Sequence, residues 1–257
     1  MASPTFRDAF AVYLEGLVRP DLRGRGIGRA LLDWQLARGT ALHAERHPEA
    51  PGALTVEVPG TMPTLEALVR RAGLTAERWY REMQRPLTDL PEIPPLAGAD
   101  IVPFTWDRDD EVRRAHNAAF VRHHGSSERD SAAWTSLFTG QRSFRPDLSR
   151  LAVEDGAVIG YVLAYIFEAD TEARGSREVD LGQIGVLPPA RGRGVATALI
   201  AEVLHEAARQ DCQTAGLGVD TENVTGALRL YEGLGFRTVR ARVSWRLDLP
   251  SVGERRA

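Results

Sequence analysis

A fifteen-residue segment that occurs twice constrains this chain more than any other feature. Val18-Arg-Pro-Asp-Leu-Arg-Gly-Arg-Gly-Ile-Gly-Arg-Ala-Leu-Leu32 returns without a gap, 168 residues later, as Val186-Leu-Pro-Pro-Ala-Arg-Gly-Arg-Gly-Val-Ala-Thr-Ala-Leu-Ile200. A spacing of that size is too long for a solenoid repeat and fits two copies of one domain. The length of 257 residues agrees, at roughly 150 residues per domain.

Both copies continue alike. Helical periodicity at Ile27–Arg46 and Val195–Gln210 precedes short strand patterns at Ala53–Val58 and Thr214–Asp220. A second helix then ends at Gly73 or Gly235, each a C-cap glycine, and a closing strand follows at Trp79–Pro86 or Arg237–Leu249. Only the second copy has a front half. There, strand Ile101–Phe104 leads into helix Asp109–Phe120 and helix Ser131–Phe138, with Ser131 as N-cap. A hairpin of Leu151–Glu154 and Ala157–Phe167 turns at Asp155-Gly156, and strand Glu178–Leu187 follows. The order β-α-α-β-β-β-α-β-α-β predicts an α/β fold with a mixed sheet.

The expected domains are therefore a partial copy at 1–87, a proline-rich linker at 88–98, a complete copy at 99–250 and a tail at 251–257. Strand Phe10–Val18 of the first copy lacks the hairpin that should flank it, and an open strand edge is a liability. Either the chain is a shortened form of a longer one, or that strand pairs with a second copy in a homodimer.

Composition excludes several functions. A net charge of -3 and a pI near 6.1 give no overall basic field for nucleic acid or an anionic membrane. No apolar run reaches the roughly 18 residues of a membrane span, and the N-terminus lacks a signal-peptide pattern. The single cysteine, Cys212, cannot form an internal disulfide, which fits a cytoplasmic location; its expected role is packing beside a strand. All 32 basic residues are arginine, so neither a Schiff-base lysine nor the lysine of a Walker A loop is available.

The repeated loop is itself informative. In Arg191-Gly192-Arg193-Gly194-Val195-Ala196, glycines allow close approach of the backbone to an anion. N–H groups at the following helix start present the positive end of its dipole, and the arginines suit phosphate oxygens. A dinucleotide fingerprint needs a third glycine, and Arg29 and Thr197 stand there instead. By itself the loop is a phosphate cradle or a glycine-rich turn with solvated arginines.

Here a resemblance enters. The GCN5-related N-acetyltransferase family carries Arg/Gln-x-x-Gly-x-Gly/Ala after its fourth strand, and both copies match, at Arg23–Gly28 and Arg191–Ala196. The second copy adds Asn223-x-x-x-Ala227-Leu-Arg-Leu-Tyr231-Glu-x-x-Gly235-Phe236, similar to the family's motif at the next strand and helix. The resemblance implies an acyl-CoA N-acyltransferase fold in which strands Glu178–Leu187 and Thr214–Asp220 splay apart around acetyl-CoA. It further implies that main-chain groups of Gly185, Val186 and Leu187 pair with the pantetheine arm. Arg191–Ala196 would hold the pyrophosphate, Asn223 would contribute to the same site, and no metal is expected. Tyr231 matches the family's general acid. Asp180 stands where several members carry a base, with Gln183, Glu178 or a water chain as alternatives. Strand alternation predicts Asp180, Gly182, Ile184 and Val186 on one face.

In the first copy Val12 and Val69 occupy the positions of Asp180 and Tyr231, so it is expected to be disarmed, with its phosphate loop kept for coenzyme A or for the fold alone. Tandem copies with one degenerate member are similar in architecture to mycothiol synthases, which acetylate a cysteinyl amine in a small thiol. The motifs do not select that acceptor over other small-molecule amines, with protein amines next. A non-catalytic acyl-CoA sensor is the alternative. In the front half, His123 and His124 are either surface histidines or pocket groups, and Trp134, Tyr165 and Trp245 form either core or an aromatic wall.

Overall fold

A computed structural model describes residues 10–121, 127–222 and 226–251. In chain order its elements are β1 (Phe10–Tyr13), α1 (Ile27–Arg46), β2 (Gly52–Pro59), α2 (Pro63–Arg71), β3 (Thr75–Pro86) and β4 (Asp100–Pro103). There follow α3 (Asp109–Ala119), α4 (Ser131–Trp134), β5 (Arg150–Glu154), β6 (Ala157–Tyr165), α5 (Glu168–Arg174) and β7 (Glu178–Val186). The chain continues through α6 (Val195–Arg209), β8 (Thr214–Asp220), α7 (Ala227–Gly233) and β9 (Arg237–Leu249). This is the mixed α/β architecture the sequence predicts.

Contacts group the chain into two units. One comprises residues up to Arg81 with Asp220–Glu222 and the chain from Arg240 onward; the other comprises Glu82–Val219 and the stretch ending at Val239. In the first, β1 runs parallel to β2, and β2 pairs antiparallel with β9 from Gly52↔Leu249 to Pro59↔Arg242. The last strand of the chain thus lies beside the first copy's β2. Its Trp245 and Leu249 join Phe10, Val12, Leu32, Leu54 and Val69 in one apolar core. β1 is shorter than the expected Phe10–Val18, because the ladder with β2 stops near Leu14, whose N–H makes a last bond to Thr55 at 2.8 Å.

In the second unit the strand order is β8-β7-β6-β5-β4, antiparallel throughout except for the parallel pair β7–β8. Asp155 and Gly156 have φ of 49° and 82°, the left-handed pair that a two-residue hairpin requires. Apolar residues of α6 bury themselves on one face of the sheet with β8 and α7. On the other face Val112, Ala115 and Trp134 from α3 and α4 pack on Leu151, Tyr161, Leu163 and Tyr165. The cap of α4 is Asp130 and not Ser131: the Asp130 carboxylate accepts the Ala133 N–H at 2.7 Å, one residue earlier than the expected cap. α4 then continues as a π turn over Thr135–Thr139, and α5 is an additional short helix. Cys212 is buried, as expected of a packing residue.

Candidate active site

β7 and β8 pair at only three positions, Glu178↔Thr214, Val179↔Ala215 and Asp180↔Gly216. Beyond these, β7 runs to Val186 and β8 to Asp220 without a shared ladder. The two strands therefore part, and Asp180 stands at the last paired position. An extended chain can add to the freed edge of β7 in the manner of another strand. Ladder alternation decides which groups face that edge. The Leu187 N–H bonds to the Ile159 carbonyl of the β6 segment at 2.9 Å, so Leu187 and, by alternation, Gly185 turn their main chain toward β6. Of the three residues expected to pair with the pantetheine arm, only Val186 faces the open side, together with Ile184. Gly185 has a different part: the Tyr161 ring fills the place a Cβ would take.

The loop after β7 is built for close approach to an anion. Gly192 and Gly194 have φ of 76° and 81°, and no atom lies within 4 Å of a Cβ built on either. Gly194 caps α6 in a left-handed conformation with no side chain over the helix end. Among the described residues, no bond ties the N–H groups of Gly192 through Thr197 to the protein. These donors fit a pyrophosphate. The arginine side chains are already engaged. Arg191 donates to the Val186 carbonyl at 3.1 Å and the Ala119 carbonyl at 2.8 Å, and Arg193 to Glu154 at 3.1 Å. In this state they brace the loop and leave its backbone N–H groups open to an anion.

Asp180 has unusual surroundings. Burial, followed by the charges of Glu178 and Glu82, raises its carboxyl to about 7. The register places it directly across from Tyr165 of β6. One step further, the ladder slips: Ala164 pairs with Leu181 but Leu163 pairs with Gln183, so Gly182 is an extra, bulged residue. This bulge overturns the expected alternation. Asp180 shares its face with Gln183 and Gly185 on the α3 side, whereas Ile184 and Val186 lie on the α6 side. An isolated glycine in a strand pattern was the available signal for it.

Tyr231 lies on α7, buried in the core on the α6 side with Leu217 and Val219 of β8, and edge-on to Phe236 at 6.3 Å. Burial raises its hydroxyl to about 12, so it keeps its proton at neutral pH. Asn223, His123 and His124 lie outside the described residues. Trp134 is core, its indole N–H bonded to Asp109 at 2.7 Å, and Trp245 is core in the first unit. Among the described residues, no group of three or more His, Cys, Asp or Glu side chains could hold a metal, and no helix is long and apolar enough to cross a membrane.

The first copy repeats the scaffold without these side chains. Gly24 and Gly26 have φ of 77° and 81°, and Arg23 reaches the Val18 carbonyl at 3.3 Å as Arg191 reaches Val186. The Leu74 N–H bonds to Val69 at 3.1 Å as that of Phe236 bonds to Tyr231 at 3.0 Å. Val12 and Val69 are buried at these matched positions.

Comparison with known proteins agrees with this geometry. The Acetyltransferase (GNAT) family profile matches residues 109–236. A mycothiol acetyltransferase of Frankia casuarinae is 34% identical over 250 residues, covering 93% of this chain and 69% of the relative. Another, of Stackebrandtia nassauensis, is 34% identical, covering 87% of this chain and 70% of its own. A GCN5-related N-acetyltransferase from Sphaerobacter thermophilus has a similar structure, with a TM-score of 0.76 and 27% identity over 93% of this chain and 73% of that one. A tandem GNAT protein from the clavulanic acid biosynthesis pathway shares the fold at a TM-score of 0.63 and 21% identity, over 95% of this chain and 77% of that one. The chain belongs to the GCN5-related N-acetyltransferase family in its tandem form, and is an acetyl-CoA-dependent N-acetyltransferase.

Proposed function

We propose that this enzyme acetylates the amine of a small molecule, with Asp180 as general base and Tyr231 as general acid. The observation that carries the reading is the position of Asp180 where β7 and β8 part, with a carboxyl near 7. A base is most effective when its pKa lies close to the working pH. Asp180 takes a proton from the acceptor ammonium, freeing the nitrogen lone pair to attack the thioester carbonyl. As the C–N bond forms and the C–S bond breaks, Tyr231 delivers its proton to the departing sulfur, and the surplus proton on the new amide nitrogen returns the tyrosinate to its neutral form. The Gly192–Thr197 N–H groups and the open edge of β7 hold the coenzyme A portion. The acidic company of Asp180, namely Glu178 and Glu82, suits a cationic acceptor. Since the similar proteins above are named for mycothiol, the amine of desacetylated mycothiol is the first acceptor to test.

Acetylated product is to be measured by mass spectrometry over a panel of amines, with desacetylated mycothiol, amino acids, polyamines and a lysine peptide as members. A small-molecule amine should show the highest kcat/KM; preference for the peptide would sink the acceptor class. Asp180→Asn should abolish the acidic limb of the pH–rate profile, and an unaltered profile would remove Asp180 from the role. Tyr231→Phe should lower kcat by about 10²-fold or more with little change in the KM for acetyl-CoA. Unchanged turnover would dismiss Tyr231 as the acid.

A further inference from the structure

Two tyrosines of β6 point their side chains into the same aromatic core, yet they are treated differently. The Tyr161 hydroxyl has a partner, His116 Nδ1, at 2.7 Å. The Tyr165 hydroxyl is buried and has no hydrogen-bond partner among the described residues. A buried hydroxyl left unpaired loses the hydrogen bonds it had in water, a cost phenylalanine would avoid while filling the same space. Tyr165 is also the cross-strand neighbour of Asp180. Its ring rests on the Gly182 bulge, 2.7 Å from where a Cβ would be, and Asp180 Oδ2 lies 3.5 Å from that same point. The bulge thus brings the ring and the carboxylate to one spot.

We propose that Tyr165 is a positioning residue for the base: its hydroxyl, unpaired in the free enzyme, donates to the Asp180 carboxylate once the acceptor is bound and fixes the oxygen that takes the proton. The inference rests on Asp180 being the base. Asp180 is raised by its own burial and by the charges of Glu178, two residues before it on β7, and Glu82 of β3; Arg174 is paired with Glu178 at 3.4 Å. Tyr165 faces it from β6, and the nearby Asp180 charge, after burial, raises the phenol in turn.

The test is Tyr165→Phe, assayed with the panel amine of highest kcat/KM, desacetylated mycothiol being tried first. A donor to the ionised carboxylate favours that form, so losing it raises the carboxyl pKa in the acceptor complex. Because the base works deprotonated, the acidic limb of kcat should move up by about one pH unit, and kcat at neutral pH should fall about tenfold. The KM for acetyl-CoA and the acidic limb of kcat/KM, which reports the free enzyme, should stay in place. Thermal stability should hold or rise. In the Asp180→Asn background the same change should cost nothing further. A more stable Tyr165→Phe variant with kcat and its limb unmoved would reduce the hydroxyl to an idle core group and overturn the proposal alone. A limb that survives Asp180→Asn would overturn the base assignment, and this inference with it.

Discussion

The burial proposed to tune Asp180 for turnover also weighs against the fold. Its carboxyl sits near 7 in the native protein and near 3.8 in an unfolded chain. Between those values the unfolded state sheds its proton first, so stability is fully present in acid and falls as pH rises toward 7. Asp180→Asn should therefore raise the melting temperature by several degrees at pH 8, an effect on the order of a few kcal/mol, and the gain should vanish by pH 4. Melting curves at the two pH values check this; an equal shift at both would mean that the gain has nothing to do with ionisation. At this scale the sequence was partly legible. The type and position of Asp180 and Tyr231 could be matched to a family motif, and Val12 and Val69 marked the copy expected to be disarmed. The neighbours of Asp180 were hidden, since Glu82 and Tyr165 lie far from it along the chain and reach it only through sheet register.

At the scale of elements, helices and strands with strong periodicity were predicted nearly to the residue, as with Ile27–Arg46, Thr214–Asp220 and Arg237–Leu249. What periodicity could not supply was the slip at Gly182, which reversed the facing of every later residue in β7. Nor could it say that the Leu187 N–H belongs to β6, because hydrogen-bond direction depends on the partner strand. The loop–helix junction invites a paired test of the two copies. Gly194 and Gly26 both have φ of 81°, a conformation unfavourable for alanine. Gly194→Ala should weaken acetyl-CoA by at least tenfold in KM, while Gly26→Ala should leave kcat and KM within about twofold. Steady-state kinetics on both variants decides; a large KM effect from Gly26→Ala would give the first copy a direct part in turnover.

For the whole molecule, the sequence showed two copies, each with its own closing strand, but gave no sign that the last of these would pair with β2. Pattern alone cannot show this, because β9 has the alternation of a strand whichever partner it takes. The prediction at this scale is that removing residues from Arg240 onward destabilises the first unit, whose β2 is paired with those residues along its whole length. Hydrogen exchange should then report lost protection in β2, and unaltered protection there would contradict the pairing. The ladder from Gly52↔Leu249 to Pro59↔Arg242 also has a consequence in time. As the ribosome extends the chain, β2 emerges almost 200 residues before its partner, so the first unit cannot finish folding during its own synthesis. Until β9 has been made its apolar face has to be kept from aggregating, and that strand is the one that ends the exposure.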